Sequence, residues 1–355
     1  MTESGFARTL AAWQRTCGRT ALPWQRYSTP YERLVSEVML QQTQVETVIP
    51  YYERFLERFP TAEALARAPD DALMALWAGL GYDARARNLR RAAAMVVDEL
   101  GGIFPATAEG LERLPGVGPS TAAAVAAFTS GEAERPMVDG NVKRVIARVA
   151  AIPGRIGEKA FERAVEARAR ELLPGREDVA AYTQGLMDLG SLVCRKRAPA
   201  CGACPVRAFC KAARCGDPEA WPAPKKPLVK RERRLLAAFP VTESGLWLRP
   251  GEDTIWRGLW GPVILEVPVG EARFLNEPEP FGFSADWEAV PIGSLRRELT
   301  HQRLFIDACA LVRAAGAPGD ARLRAFGRDP QGWPGMAAPI RTLAERAMRA
   351  AGYAV

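Results

Sequence analysis

No run of apolar residues in this 355-residue chain approaches eighteen, so no segment is expected to cross a membrane as a helix. The N-terminal stretch MTESGFARTLAAWQR has no basic region followed by an apolar core, and no secretory leader is expected there. Histidine occurs once, at His301, where the plain reading is a hydrogen-bonding surface residue. Lysine is scarce too: seven in all, none before Lys143. Cysteine is neither abundant nor evenly paired. Of seven, Cys17, Cys215 and Cys309 stand alone and the other four cluster. An odd total with one cluster argues against a disulfide framework and for a metal site in a reducing compartment.

What remains is a globular composition, 48% hydrophobic and 25% charged, with length enough for two domains whose cores need no disulfides. A net charge of +7 permits a polyanionic partner without requiring one. The distribution says more. Residues 194–234 hold twelve Lys or Arg against three Asp or Glu, a net of +9 that exceeds the excess of the whole chain.

The stretch LPGVGPST (114–121) reads as a hairpin between two helices. Gly116 and Gly118 allow positive φ and close approach of another chain. Pro119 and Ser120 open the second helix, with Thr121 next, and the exposed N–H groups of a helix start suit a phosphate. Eighteen residues on, Val138-Asp139-Gly140-Asn141 places a carboxylate in the following loop. A phosphate clamp beside a carboxylate points to chemistry on a nucleic acid; the plain alternative is a tight corner and an N-capping Asp.

Upstream, Ser28 or Thr29 can cap a helix with Pro30 in its first turn, running over roughly 30–46 with Leu34, Val35, Val38, Met39 and Val45 on a core face. Glu37 lies at the margin of that face, where burial raises a carboxyl pKa as a general acid requires; a surface glutamate is the simpler alternative. The polar QQTQ that follows offers donors and acceptors suited to base edges. Short helices are expected over 51–59, 70–78 with Asp70 as cap, 85–100, 139–152, 159–173 and 178–193. Tyr82 sits in a glycine-flanked turn between two of them, placed either to pack or to stack on a base.

Cys194-x6-Cys201-x2-Cys204-x5-Cys210 puts four thiols within seventeen residues. Common zinc sites pair two C-x2-C knuckles, whereas only the middle pair here has that spacing, which favours a [4Fe–4S] cluster. Arg195, Lys196 and Arg197 lie in its first loop, so the cluster would shape a basic finger for phosphate rather than carry out redox chemistry. Pro222–Pro227 reads as a stiff basic linker. Strands expected over 235–241, 245–248 and 264–267, an ambiguous segment over 303–312 and a helix over 339–352 make a second, α+β domain from about 233 to 355.

Taken in order, SEVMLQQTQV (36–45), GLGYDARARNL (79–89), LPGVGPSTA (114–122), VDGNVKRV (138–145), MDLGSLVC (187–194) and the four cysteines resemble the MutY family of adenine DNA glycosylases, of the helix-hairpin-helix superfamily that also contains endonuclease III. The resemblance covers about 20–220 strongly. WRGLWGP (256–262), LEVP (265–268) and LTH (299–301) extend it more weakly to a MutT-like (Nudix-like) C-terminal domain. It implies a glycosylase domain over 1–220 with a [4Fe–4S] loop at 194–210, a linker over 221–232 and an 8-oxoguanine recognition domain over 233–355. The implied activity is base-excision repair: removal of adenine mispaired with 8-oxoguanine or guanine in double-stranded DNA, by a monomeric, cytoplasmic, nucleoid-associated bacterial-type enzyme.

Residue by residue, Glu37 matches the acid that protonates adenine, and Asp139 the carboxylate that stabilises the oxocarbenium-like sugar, with Ser120 and Asn141 lining the same site. The physical need resembles glycoside hydrolysis: one acid for the leaving group, one anion for the sugar cation. Gln42 and Tyr82 match residues that wedge into the duplex; Trp24 and Gln184 are expected at the flipped adenine. Leu299-Thr300-His301 stands where relatives often carry Phe-Ser-His, so the hydroxyl and His301 are kept and the aromatic is lost. The Nudix hydrolase signature is absent, so no pyrophosphatase activity is expected. Asp83 follows Tyr82 where many relatives have a second Tyr. The alternatives are a glycosylase for T or U opposite G, or a non-enzymatic DNA-binding protein with a structural cluster.

Bifunctional relatives open the second hairpin helix with a Lys that attacks the sugar as a Schiff base. This chain has Ser120 there. Ser120→Lys is therefore expected to introduce β-lyase activity, read as strand cleavage at an abasic site; no cleavage above wild type would count against the assignment.

Overall fold

The computed structural model describes residues 3–26, 29–224, 229–251, 256–268, 275–299 and 301–355. Helices follow one another in chain order: α1 (Glu3–Cys17), α2 (Pro30–Leu40), α3 (Val45–Arg58), α4 (Ala62–Ala66), α5 (Asp70–Trp77), α6 (Ala84–Glu99), α7 (Ala108–Glu112), α8 (Pro119–Thr129), α9 (Gly140–Ala150), α10 (Lys159–Glu171), α11 (Arg176–Asp188) and α12 (Lys211–Arg214). All but α5 belong to a unit made of Met1–Ala68 and Ala84–Lys226. This is the helical domain expected from the apolar spacing of the sequence.

Local chemistry explains the boundaries. Thr29 accepts from Glu32 N while the Glu32 carboxylate accepts from Thr29 N, a capping box that fixes the start of α2 at a worth of about 1 kcal/mol. The alternative cap, Ser28, lies outside the described residues. The helix expected over 30–46 is two helices. It stops at Leu40 because Gln42 adopts a left-handed backbone, φ 59°, and α3 restarts at Val45 with Pro50 inside it. Asp70 is the first residue of α5, capped by Pro69, rather than its cap.

Helix α8 is almost wholly alanine and valine on its buried positions: Ala122, Ala123, Ala124, Val125, Ala126 and Ala127 are all at most 2% exposed. Such small side chains let α2, α7 and α11 pack close around it. The last turn of the α11 segment widens to a π-helix over Leu189–Val193. Gly190 is required there, because a Cβ would meet Asn141 Cβ at 2.9 Å.

The second unit comprises Pro69–Asp83 and Pro227–Val355. It holds β1 (Arg231–Thr242), β2 (Gly245–Pro250), β3 (Trp260–Gly261), β4 (Val263–Val267), β5 (Glu288–Glu298), β6 (Gln302–Val312), β7 (Arg324–Phe326) and helix α13 (Ala338–Ala350). The strands form a mixed sheet in the order β3-β2-β1-β6-β5, with β4 paired to β1 and β7 to β2. Strands β1 and β6 run parallel over their whole length; β5 and β6 form an antiparallel hairpin. One sheet face packs against α13 through Leu235, Phe239, Leu304, Ile306, Leu343 and Met348, among others. The other carries Leu236, Val263, Phe281, Trp287 and Leu311. The ambiguous segment 303–312 is thus strand β6, and β5 was not legible as a strand because Pro291 and Gly293 interrupt it and its last three residues are charged.

Two boundaries differ from the sequence expectation. The α5 segment belongs to the second unit, not to the first 220 residues; Gly335 lies so near Met74 that a Cβ would meet its carbonyl oxygen at 3.1 Å. The linker is not free where it begins. Arg148 Nε donates to Trp221 O at 3.0 Å, Ala223 N to Gly154 O at 2.9 Å and Arg155 Nε to Pro224 O at 2.9 Å. Residues 225–228 lie outside the described residues, and β1 already begins at Arg231. Among the described residues no helix is long and apolar enough to cross a membrane.

Candidate active site

Helix α2 presents Glu37 from the edge of its buried face: Leu34, Val35 and Val38 beside it are at most 5% exposed. Burial pushes the Glu37 carboxyl up to about 7. The nearby Arg33 cation pulls the other way, and the charge of Asp139 adds to the rise. Asp139 precedes α9 and caps it, its Oδ1 accepting from Val142 N at 2.7 Å. The simple reading of Asp139 as an N-cap is therefore right as far as it goes, and the cap is what holds the carboxylate beside Glu37.

Asn141, one residue into α9, accepts through Oδ1 from Arg144 Nη2 at 3.0 Å. The same Arg144 donates to Gly190 O at 2.7 Å and to Cys194 O at 2.9 Å. One turn later Arg148, 3% exposed, donates to Cys194 Sγ at 3.3 Å, Arg195 O at 2.7 Å and Lys196 O at 3.0 Å. Two arginines at helical spacing thus tie the Asp139–Asn141 loop to the cysteine loop. Sequence reasoning missed both. The signal was a charged residue recurring every four positions on an otherwise apolar face, Val142, Val145, Ile146 and Val149.

The four cysteines line one cavity together with Arg148, Val193 and Pro199. Among the described residues no three His, Cys, Asp or Glu side chains converge as the ligands of a single metal ion do. Four thiols around a shared cavity are a ligand set that fits a metal ion or a cluster held by four thiolates. Arg195, Lys196 and Arg197 are all exposed, with the backbone beneath them fixed by Arg148.

In the hairpin, Gly116 has φ 79° and a Cβ there would meet Asn88 Cβ at 2.5 Å, so it is glycine by both conformation and space. Gly118 differs from expectation: its φ is −91° and it is the N-cap of α8. Its role is to leave the helix start open, since a Cβ there would meet nothing within 4 Å. Ser120 is half-buried in the first turn of α8. Thr121 accepts from Gln41 Nε2 at 3.2 Å, which joins the hairpin helix to the QQTQ segment. Lys143 is held by Glu162 at 2.6 Å.

Gln42 is exposed, and Tyr82, in the second unit, is 51% exposed. Both have a left-handed backbone, φ 59° and 53°, costly for a side chain with a Cβ and sustained only by surrounding structure. For Gln42 the support is Arg85, whose Nη1 donates to Val38 O and Met39 O at 2.9 Å and to Gln41 O at 2.5 Å, while Nη2 reaches Thr43 Oγ1 at 3.3 Å. Trp24 and Gln184 are buried. Trp24 packs edge-on against Tyr52 with ring centres 5.4 Å apart. Gln184 Nε2 donates to Asp188 Oδ1 at 2.9 Å, and Asp188 pairs with Arg19 at 2.8 Å. In the second unit Leu299 N donates to Gln302 O at 2.8 Å, so Leu299 and the exposed His301 form the tip of the β5–β6 hairpin. Thr300 lies outside the described residues.

The helical fold, its glycine hairpin and the following aspartate define a helix-hairpin-helix protein of base excision, and residues 35–171 match the family model described as HhH-GPD superfamily base excision DNA repair protein. The chain is 33% identical over 307 residues to the adenine DNA glycosylase of Buchnera aphidicola subsp. Schizaphis graminum, covering 86% of this chain and 87% of that one. It is 40% identical over 211 residues to that of Buchnera aphidicola subsp. Baizongia pistaciae, 59% of each chain, and 42% identical over 219 residues to the human adenine DNA glycosylase, 59% of this chain and 39% of the human one. The chain belongs to the adenine DNA glycosylase family. Among solved structures, a thermostable thymine-DNA glycosylase superposes with a TM-score of 0.52 at 28% identity, over 60% of this chain and 97% of that one. An endonuclease III–DNA complex shares the fold, with a TM-score of 0.50 at 24% identity over 61% and 98%.

Arg85→Ala should free residues 41–43, lower thermal stability through the loss of several charge-assisted intramolecular hydrogen bonds, and weaken binding to mismatched duplex on the order of tenfold. Equal affinity in a titration against fluorescent duplex would show that Gln42 needs no such support.

Proposed function

We propose that the protein is a monofunctional DNA glycosylase that hydrolyses the N-glycosidic bond of adenine mispaired with 8-oxoguanine or guanine in duplex DNA. The observation that carries this is the pairing of Glu37, held near half-protonation at neutral pH, with the helix-capping Asp139. Glu37 gives its proton to a ring nitrogen of the flipped adenine. The bond to the sugar then breaks, and the electron pair leaves with the base. The carboxylate of Asp139 faces the cation left on the sugar. Water adds to the anomeric carbon, and the proton it sheds restores Glu37. Asn141 and Ser120 flank the reacting centre. Ser120 supplies no amine, so the strand is left intact.

Binding falls to the open start of α8 at Gly116 and Gly118, with Thr121, for a phosphate, and to the exposed Arg195, Lys196 and Arg197 for the backbone. Gln42 and Tyr82 enter the duplex, and Trp24 and Gln184 border the flipped adenine. Cys194, Cys201, Cys204 and Cys210 would hold a [4Fe–4S] cluster. When bound, it fixes the fold of the basic loop. Iron with equimolar acid-labile sulfide in the purified protein is expected; stoichiometric zinc would overturn this part. We read the second unit as MutT-like and its hairpin tip, Leu299 to His301, as the probe of 8-oxoguanine. Because α5 belongs to that unit, point changes at Leu299 and His301 test it better than deletion after residue 225. A monomer acting in the cytoplasm fits the reading.

Glu37→Gln should abolish release of adenine from A opposite 8-oxoguanine while leaving duplex affinity within about twofold. For the wild type, single-turnover excision should be fullest below about pH 7 and fall as pH rises through it, because the acid must be protonated to act. Retained excision by the variant, or release of thymine opposite G in preference to adenine, would overturn the proposal.

A further inference from the structure

The least expected charge near the site is Arg33. It is 5% exposed, one helical turn before Glu37 on α2, where side chains four apart lie over one another. Its guanidinium sits on the face of Phe128, 4.0 Å from the ring centre. Its Nε and Nη1 are buried and have no hydrogen-bond partner among the described residues. Charge buried without donors satisfied is costly and needs a reason. A buried cation held against a ring one helical turn from a carboxyl acts through space on that carboxyl.

We infer that Arg33 is a positioning cation for the general acid: pinned by Phe128, it stabilises the carboxylate that Glu37 becomes on giving up its proton. The inference rests on the reading of Glu37 as that acid. The environment supports it from every side. Helices α3, α6 and α8 and the turn over Pro23–Gln25 pack on α2. Neither α8 nor that turn carries an ionisable side chain. The field of α3 at Arg33 comes from Tyr52. From α6 comes Arg85, committed to the carbonyls of 38, 39 and 41. Ahead of α9 stands Asp139, whose charge opposes ionisation of Glu37. Arg33 is thus the cation that offsets both burial and Asp139, and each of the two groups feels the other's charge.

The test is the pH dependence of single-turnover adenine excision by the full chain. Wild type, Arg33→Met, Arg33→Lys and Phe128→Leu are compared, with Glu37→Gln as control. Removing the cation makes Glu37 a weaker acid. Arg33→Met should therefore lower the plateau rate about threefold, as expected for a half-transferred proton. It should also move the alkaline fall up by about one pH unit, the usual effect of losing a nearby opposite charge. Arg33→Lys should keep the wild-type profile. Phe128→Leu, which frees the guanidinium but keeps its charge, should shift the fall the same way by less, and serves where Arg33→Met does not fold. A lower rate with the fall unmoved in both variants would overturn the inference and leave Glu37 as the acid. A wild-type profile flat through neutrality, or an active Glu37→Gln, would instead overturn the reading of Glu37, and this inference with it.

Discussion

A carboxyl group buried beside a second carboxylate has to keep its proton, and the helical unit is arranged around that constraint. Glu37 faces desolvation and the charge of Asp139 together, and both raise it. The two groups come from elements far apart in sequence. Helix α8 packs on α2 and α11, and α11 packs on α9, so the frame that carries both groups runs through α8 and α11. The alanines of α8 are at most 2% exposed, and larger residues there would force α8 away from α2 and α11. The Asp139 cap does the remaining work, since the bond to Val142 N fixes one carboxylate oxygen and with it the direction of the other.

The same logic of fixing one group by spending another recurs in the loops. Non-glycine residues with left-handed backbones store strain, and Gln42 and Tyr82 are both of this kind. A relaxed loop would not hold a side chain out into solvent in one orientation. At Gln42 the strain is met by Arg85, which gathers the carbonyls of Val38, Met39 and Gln41 where α2 ends. Because the helix stops early, these carbonyls have no regular helical donor four residues on. The broken helix, the bent glutamine and the arginine are one device.

How far the sequence disclosed this varies with the kind of interaction. Glu37, Asp139 and the hairpin were legible because each depends on local pattern: an acid at the margin of an apolar face, an Asp before a helix, glycines at a turn. The helices were legible for the same reason, apart from the break at Gln41–Thr43, where the apolar spacing runs on but the backbone does not. Arg85, Arg144 and Arg148 were not legible. Each bonds mainly to backbone carbonyls, and carbonyls have no sequence. Arg33 was hidden differently, since a charged residue on a helix is ordinarily a solvated one. The pairing of α5 with the second unit was likewise invisible, because it rests on Gly335 admitting a backbone at close range. Strand β5 carries Pro291 and Gly293 in its middle and a charge run, Arg296 to Glu298, at its end, which together mask the period of two.

The arginines of α9 also bear on why a metal-type cysteine loop should accompany a hydrolytic site. Arg144 bonds at once to Asn141, to Gly190 and to Cys194. Gly190 in turn lies so close to Asn141 that no Cβ fits between them. The position of Asn141 is therefore set from two directions by the segment that leads into Cys194. A change in the cysteine loop that moved the Cys194 carbonyl would release Arg144, and with it the side chain next to Asp139, with no contact to the substrate at all. The basic finger at 195–197 is fixed by the neighbouring Arg148. One helix thus anchors both the basic loop at 195–197 and the Asp139–Asn141 segment, so that the two share a single rigid reference.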